Sequence, residues 1–335
     1  MFKGKKVLIT GGTGSLGNAL TQRLLTENVD TIRIFSRNEN KQLEMASKFH
    51  DDRLRFLLGD VRDYNRLTRA CEDIDIVFHA AALKHVPKIE YNPFEAIKTN
   101  VVGSQNMIDA CQANDVEKVI CVGTDKAVSP LNTYGATKLL MEKLFVAANN
   151  YLNPEKHRTV FLAVRYGNVL GSSGSVIPKF IEQIKANKPV TITDPKMTRF
   201  SITMNEALDF ILNSVKIAKG SEIFVPKLRA YNIVDVKNAL TELLSDTGEK
   251  IIGIRTGEKL HETLINEDEI RYSWELKNMY MIANPLYPLF TDKNIKESYQ
   301  GIKKIEDIQK YSSNVVEKIP VKNLKTIIKN AGLLN

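Results

Sequence analysis

KVLITGGTGSLGNALTQRLL, residues 6–25, is the stretch on which the fold turns. An aliphatic run ending at Thr10 meets a glycine cluster at once, and an amphipathic segment from Leu16 to Thr26 follows. Gly11, Gly14 and Gly17 stand three apart in GGTGSLG. Glycine serves there as a tight turn, as a close approach of backbone to pyrophosphate, and as tight packing of helix on sheet. The helix that follows opens with unpaired N–H groups and partial positive charge facing the phosphates. Strand, glycine turn and helix in this order predict a dinucleotide site formed by Gly11, Thr13, Gly14, Ser15, Leu16 and Gly17.

Working outward, short apolar runs alternate with longer amphipathic segments, the rhythm of a parallel sheet with helical crossovers. Strands are expected at Lys6–Thr10, Thr31–Phe35, Leu54–Leu58, Ile76–His79, Lys118–Val122 and Val160–Arg165, and helices at 16–26, 40–49, 65–71, 93–113 and 133–149. Six parallel strands with right-handed crossovers make an α/β, Rossmann-type doubly wound sheet. After Arg165 the rhythm breaks into GNVLGSSGS, a helix at 176–185 and a Pro- and Thr-rich segment up to Phe200. The expected organisation is a cofactor domain over residues 1–167, rejoined around 203–220, a smaller C-terminal substrate domain over 168–288, and a helical tail over 289–335. Short strands at 190–192 and 223–225 and a helix at 205–216 imply that the chain weaves between the two units.

The 335 residues suffice for such a core. No apolar stretch approaches the eighteen or so residues of a membrane span, and the run before Thr10 reads as a buried strand, not a secretory leader. Cys71, Cys111 and Cys121 are odd in number and lack CxxC spacing, so reduced thiols in a cytoplasm are expected. The net charge of +8 is spread out, and the basic stretch 303–329 is interrupted by Glu306, Asp307 and Glu317. That pattern favours a solvated face and anionic small ligands over nucleic acid. The histidines are scattered without metal-ligand spacing, so no metal is expected, and His79 in its apolar strand reads as a core residue.

An acidic residue ending the second strand would bond the ribose 2′-hydroxyl of NAD and repel the extra phosphate of NADP. Here Ser36 takes that place, with Arg37 beside it, then Asn38, and Lys41 a turn further; Glu39 is the one opposing charge. A planar, permanently charged guanidinium suits a 2′-phosphate, so NADP is favoured. Asp60 and Val61 are expected at the adenine, Ala80, Ala81 and Ala82 leave room beside the cofactor, and Lys84 and Asn100 complete the set.

Tyr134 and Lys138 in NTYGATK lie four apart on one face of a predicted helix. An ammonium beside a phenol lowers the phenol's pKa and makes it a usable base. Thr124, at the end of the preceding strand, can bond the same substrate hydroxyl.

With TGGTGSLG, HAAA, Thr124 and YxxxK in order, the chain resembles the extended short-chain dehydrogenase/reductases. It is more closely similar to the inverting UDP-N-acetylglucosamine 4,6-dehydratases of pseudaminic acid synthesis, through FSRNENKQ, GDVRD, HAAALKHVP, YNPFEAIKTN, TDKA, RYGNVLGS, MTRFSIT, EIFVPK and RTGEKLHE. Retaining relatives carry Asp-Glu where this chain has Asp125-Lys126. The resemblance implies a hydro-lyase with recycled NADP. Tyr134, Thr124 and Lys138 would act at sugar carbon 4, Lys126 would take the carbon-5 proton and Asp125 would protonate the departing carbon-6 hydroxyl. Lys126 must then be neutral when it works, which burial and Lys84 would favour. The resemblance also places Lys84 and His85 on the catalytic rim, Asn168, Val176, Ile177 and Phe180 around the uridine end, Thr193 among the substrate contacts, and Arg199, Arg255 and Glu258 at the diphosphate or ribose. Ser173 stands where the family has an arginine. The family also implies a UDP-sugar partner and a homodimer, assembled further into hexamers. A 4-epimerase or retaining dehydratase would share the scaffold, and a non-catalytic NADP-sensing protein would need no YxxxK.

Overall fold

The computed structural model of the chain describes residues 1–153, 155–172, 175–255, 257–287 and 290–334. β1 (Lys6–Thr10), β2 (Thr31–Ser36), β3 (Leu54–Leu58), β4 (Ile76–His79), β5 (Lys118–Val122) and β6 (Val160–Val164) form parallel neighbours in the order β3-β2-β1-β4-β5-β6. These strands are near-continuous apolar runs because helices cover both faces of the sheet. Successive side chains feed two cores: Val7 and Ile9 point into one, Leu8 into the other. The order reverses between β1 and β4, and at such a switch point a crevice opens beyond the strands' carboxyl ends.

The sheet is larger than the six strands expected. Ile223–Pro226 adds a seventh parallel strand beside β6, and Met279–Ile282, Ser273–Glu275 and Lys303–Lys304 extend it antiparallel. The helix Met204–Ile217, closed by a capping box between Thr203 and Glu206, packs its buried face into the main core.

A third core gathers Ile177, Phe180 and Ile184 from the helix Val176–Lys185 with Val236 and Leu240 from the helix Ile233–Leu243. Strand Val190–Ile192 pairs with Glu249–Ile251, and Thr198–Phe200 with Ala230–Asn232. The last residues are not an appended helical tail. Tyr311–Ser312 pairs with Thr263–Ile265, and the helix Val321–Asn330 buries Leu324 and Ile328 in this third core. Strands of two residues carry no readable alternation, which is why the pairing is silent in the sequence.

The segment expected as one helix over 93–113 is helical throughout but contains a π-turn at Ile97–Val102, and a short helix, Val86–Tyr91, precedes it. No helix among the described residues is long and apolar enough to cross a membrane.

Candidate active site

A cleft of about 610 Å³ opens over the carboxyl ends of the parallel strands. Gly11, Thr13, Gly14, Ser15, Leu16 and Gly17 line it, with Ser36, Arg37, Asn38, Lys41, Asp60, Val61, Ala80, Ala81 and Ala82. Gly11 has φ +63, and a Cβ there would lie 2.9 Å from the Ala81 Cα, so the turn admits no side chain. A Cβ on Gly17 would meet the Gly12 carbonyl oxygen at 2.3 Å, which fixes how closely the helix Ser15–Thr26 approaches its own turn. Gly14 caps that helix without a side-chain bond, leaving its first N–H groups directed into the cleft's glycine edge.

At the far rim Arg37 is half exposed and its guanidinium lies 3.4 Å from Asp60, whose carboxylate is held more closely by Arg62 at 2.7 Å. Burial works against ionisation of Asp60, but Arg62 and Arg37 outweigh it and lower the pKa. Asn38 caps the helix Glu39–Phe49 by accepting the Lys41 N–H at 2.9 Å. Gln42, unforeseen from the sequence, donates to the Ser36 hydroxyl at 3.0 Å and to the Leu57 carbonyl at 3.0 Å and so shapes this rim.

Asn100 differs from its expected place at the cofactor. It is fully buried in the π-turn, accepts the Leu83 N–H at 2.8 Å, and donates to the Leu83 carbonyl and the Thr137 hydroxyl at 3.0 Å each. It anchors the Ala80–Lys84 wall to the helix Thr133–Ala148 from behind. His79 is likewise internal: its ring nitrogens lie 2.9 Å from the Thr10 hydroxyl and 3.2 Å from that of Ser104. Burial, with Lys138 nearby, lowers its pKa to about 3.

A second cleft of about 480 Å³ meets the first at Lys84, His85, Thr124, Tyr134 and Asn168. Val176, Phe180, Thr193, Arg199, Arg255 and Glu258 line it, as do Lys259 and Glu262, which the sequence did not single out. Ile177 turns away into the third core, and Ser173 lies outside the described residues. Arg199 is 6% exposed, and its guanidinium donates to the carbonyls of Thr198, Lys259 and Leu260 at 2.8, 3.0 and 3.1 Å. It holds the 258–262 loop in place of offering a free fork to a diphosphate.

Between the clefts, Thr124 lies two residues past the end of β5 and caps a single turn at Asp125–Ala127. Its hydroxyl donates to Asp125 Oδ1 at 2.8 Å. Lys126 Nζ lies 2.9 Å from Asp125 Oδ1, 3.0 Å from Asn168 Oδ1 and 3.9 Å from Glu262 Oε1. Gly135 lets the helix carrying Tyr134 approach this turn, because a Cβ there would lie 2.3 Å from the Lys126 carbonyl oxygen.

Two expectations about charge are overturned. Burial does pull the Lys126 ammonium toward neutrality, but the Asp125 and Glu262 carboxylates outweigh it and raise the pKa. The Tyr134 phenol is raised as well: burial dominates, and Lys126 with the Thr124 hydroxyl offsets it only in part. Lys138 is not the cation that acts on Tyr134 here. Its ammonium is buried, is lowered by that burial, and donates to the Val122 carbonyl at 2.6 Å.

The polysaccharide biosynthesis protein family model matches residues 7–284. The chain is 47% identical to a UDP-N-acetylglucosamine 4,6-dehydratase (inverting) of Campylobacter jejuni subsp. jejuni serotype O:23/36, over 94% of each chain. It is 42% identical to a UDP-glucose 4-epimerase of Rickettsia bellii, over 98% of this chain and 97% of that one. Among solved structures, Pen from Bacillus thuringiensis superimposes with a TM-score of 0.90 at 39% identity, covering all of both chains.

Proposed function

The chain belongs to the polysaccharide biosynthesis protein family, and from that premise we propose that it is a C5-inverting UDP-N-acetylglucosamine 4,6-dehydratase. Its product on this reading is UDP-2-acetamido-2,6-dideoxy-β-L-arabino-hex-4-ulose, the entry to pseudaminic acid synthesis. The observation that carries the proposal is the Asp125–Lys126 pair: Lys126 lines the second cleft with Thr124 and Tyr134, and Asp125 is buried behind it at 2.9 Å. Both name classes among the relatives need a base at the carbon-4 hydroxyl. Only a dehydratase also needs a base for the carbon-5 proton and an acid for the carbon-6 hydroxyl.

The glycine turn and the freed helix N–H groups fit a dinucleotide, and Arg37 with Lys41 favours a 2′-phosphate, so NADP is the proposed cofactor. When bound, it supplies reversible storage of the hydride taken from carbon 4 and returned to carbon 6.

Tyr134 accepts the carbon-4 hydroxyl proton as the phenolate, the form that Lys126 and the Thr124 hydroxyl favour against burial, with Thr124 holding the same oxygen. The carbon-4 ketone acidifies carbon 5, where Lys126 takes the proton. Lys126 rests as an ammonium, so it must first release one. The 2.9 Å contact to Asp125 provides the route: moving that proton onto Asp125 yields a neutral amine and a neutral carboxylic acid together. Those are the base and the acid that elimination of water requires, and the pair's net charge is unchanged. Reprotonation of carbon 5 from the opposite face inverts it.

The Rickettsia relative favours a second reading, a 4-epimerase, which would leave the Asp125–Lys126 pair idle. Lys126→Met separates the two. The dehydratase reading predicts loss of at least about a hundredfold in water elimination, within the usual range for removing an acid–base group. Undiminished interconversion at carbon 4 in this variant, with carbon 6 intact, identifies an epimerase.

A further inference from the structure

Glu262 has the environment of a side chain retained for chemistry at the expense of stability. It is 4% exposed, yet among the described residues neither carboxyl oxygen makes a hydrogen bond. Oε2 has no partner among the described residues, and Oε1 stands 3.6 Å from Arg199 Nε and 3.9 Å from Lys126 Nζ, charge contacts beyond hydrogen-bond range. A buried polar group left in this state is destabilising and calls for an explanation. The backbone shows that the placement is enforced. The Glu262 N–H donates to the Ser313 hydroxyl at 2.9 Å, and the Ser313 N–H donates to the Glu262 carbonyl at 2.7 Å. The C-terminal segment therefore clamps Glu262 at the rear of the second cleft, with its head facing Lys126.

Asp125 repeats the pattern on the other side, with Oδ1 on Lys126 and a buried Oδ2 that has no partner among the described residues. One ammonium thus sits between two enclosed carboxyls, each with an oxygen to spare. The charged and titratable groups around them are Tyr134 on the neighbouring helix, Arg199 and Tyr231 on the paired strands, and Glu258 and Lys259 on the loop. Burial, with repulsion from Asp125, raises the Glu262 pKa, and Lys126, Arg199 and Lys259 offset this only in part; above that raised value the carboxylate carries its charge.

We propose that Glu262 is a positioning residue of the acid–base group: with Asp125 it holds Lys126 as an ammonium, and it thereby sets the pH at which Lys126 becomes a base. Its chemical role rests on the dehydratase reading, whereas its hold on Lys126 does not. A unit charge 3.9 Å away shifts a pKa by about one unit even at the dielectric of water, and by more in an enclosed site.

Competitive labelling with acetic anhydride, read by peptide mass spectrometry, tests this without turnover. At fixed pH near 9, Lys126 should label about tenfold faster in Glu262→Gln than in the wild type, the ratio that one pKa unit produces. The exposed Lys293 should label equally in both. Glu262→Asp, which keeps the charge, should fall between, and all three proteins should melt within a few degrees of one another. With UDP-GlcNAc in deuterated water, the pH at half-maximal carbon-5 exchange should fall in Glu262→Gln in step with the labelling. Equal labelling of Lys126 in wild type and Glu262→Gln overturns the inference whatever the enzyme does. Faster labelling with no carbon-5 exchange in either protein supports the coupling and defeats the dehydratase reading instead.

Discussion

Replacing Arg165 by methionine should destabilise the protein through charge, with packing volume nearly preserved. The guanidinium is fully buried, donates to Glu142 through Nε at 3.0 Å and through Nη2, and reaches Glu269 with both terminal nitrogens at 2.9 Å. Its last donor goes to the Leu264 carbonyl at 2.8 Å. It therefore ties the helix bearing Tyr134 and Lys138 to the segment that follows Glu262. In Arg165→Met two enclosed carboxylates lose their counter-ion, a loss of about 3–5 kcal/mol. For 335 residues the unfolding entropy is about 0.7 kcal/mol/K, so the melting temperature should fall by roughly 4–7 °C. Differential scanning calorimetry at pH 7 reads this directly. The acid response supplies a second check. Burial pushes the Glu269 carboxyl up but Arg165 outweighs it, so the folded pKa lies below the unfolded one. That contribution to stability is present above the unfolded value and is lost as pH falls through the folded one, and it should disappear in the variant. The triple change Arg165→Met, Glu142→Leu, Glu269→Leu removes every charge and should recover much of the loss. A single variant that melts within a degree of the wild type, or a triple variant no more stable than the single, would refute this account of the cluster.

Three further outcomes follow from the same geometry. His79 binds its proton near pH 3 when folded and near 6.5 when unfolded, so the unfolded chain protonates first on acidification. About 2 kcal/mol should be lost between pH 6.5 and 5, and this slope should flatten in His79→Phe when unfolding is followed at each pH. Arg37→Ala should weaken NADP about tenfold or more, the worth of a charge-assisted hydrogen bond, and leave NAD nearly unchanged in titration calorimetry; equal losses for both cofactors would remove Arg37 from the 2′-phosphate. Gly11→Ala should abolish cofactor retention, since its φ of +63 and the 2.9 Å approach to Ala81 leave no place for a methyl group; a cofactor-loaded variant would contradict the turn's role.

The parallel half of the fold was legible because its strands are enclosed on both faces and read as unbroken apolar runs, each followed by a helix. The glycine turn and YxxxK were legible because their spacing is local. What escaped depends on distant contacts. Nothing near Lys126 in the sequence announces that Glu262 lies 3.9 Å away, and burial and Lys84 alone point to the wrong charge. Tyr134 was paired with Lys138 by helical spacing, yet that ammonium is turned to the Val122 carbonyl across the fold. Asn100 looked like a cofactor contact because the sequence does not reveal a π-turn. Arg199 looked like a diphosphate ligand because the carbonyls it serves belong largely to a loop some sixty residues on. The C-terminal segment holds its place through two-residue strands and the Ser313 clamp, which leave no periodic trace.

The most direct test is incubation of the purified protein with UDP-GlcNAc in deuterated water, without added NADP, followed by NMR. A 4-keto-6-deoxy sugar with deuterium at carbon 5 and inverted configuration there is the predicted product. An intact carbon 6 with only the carbon-4 epimer formed would contradict the dehydratase assignment.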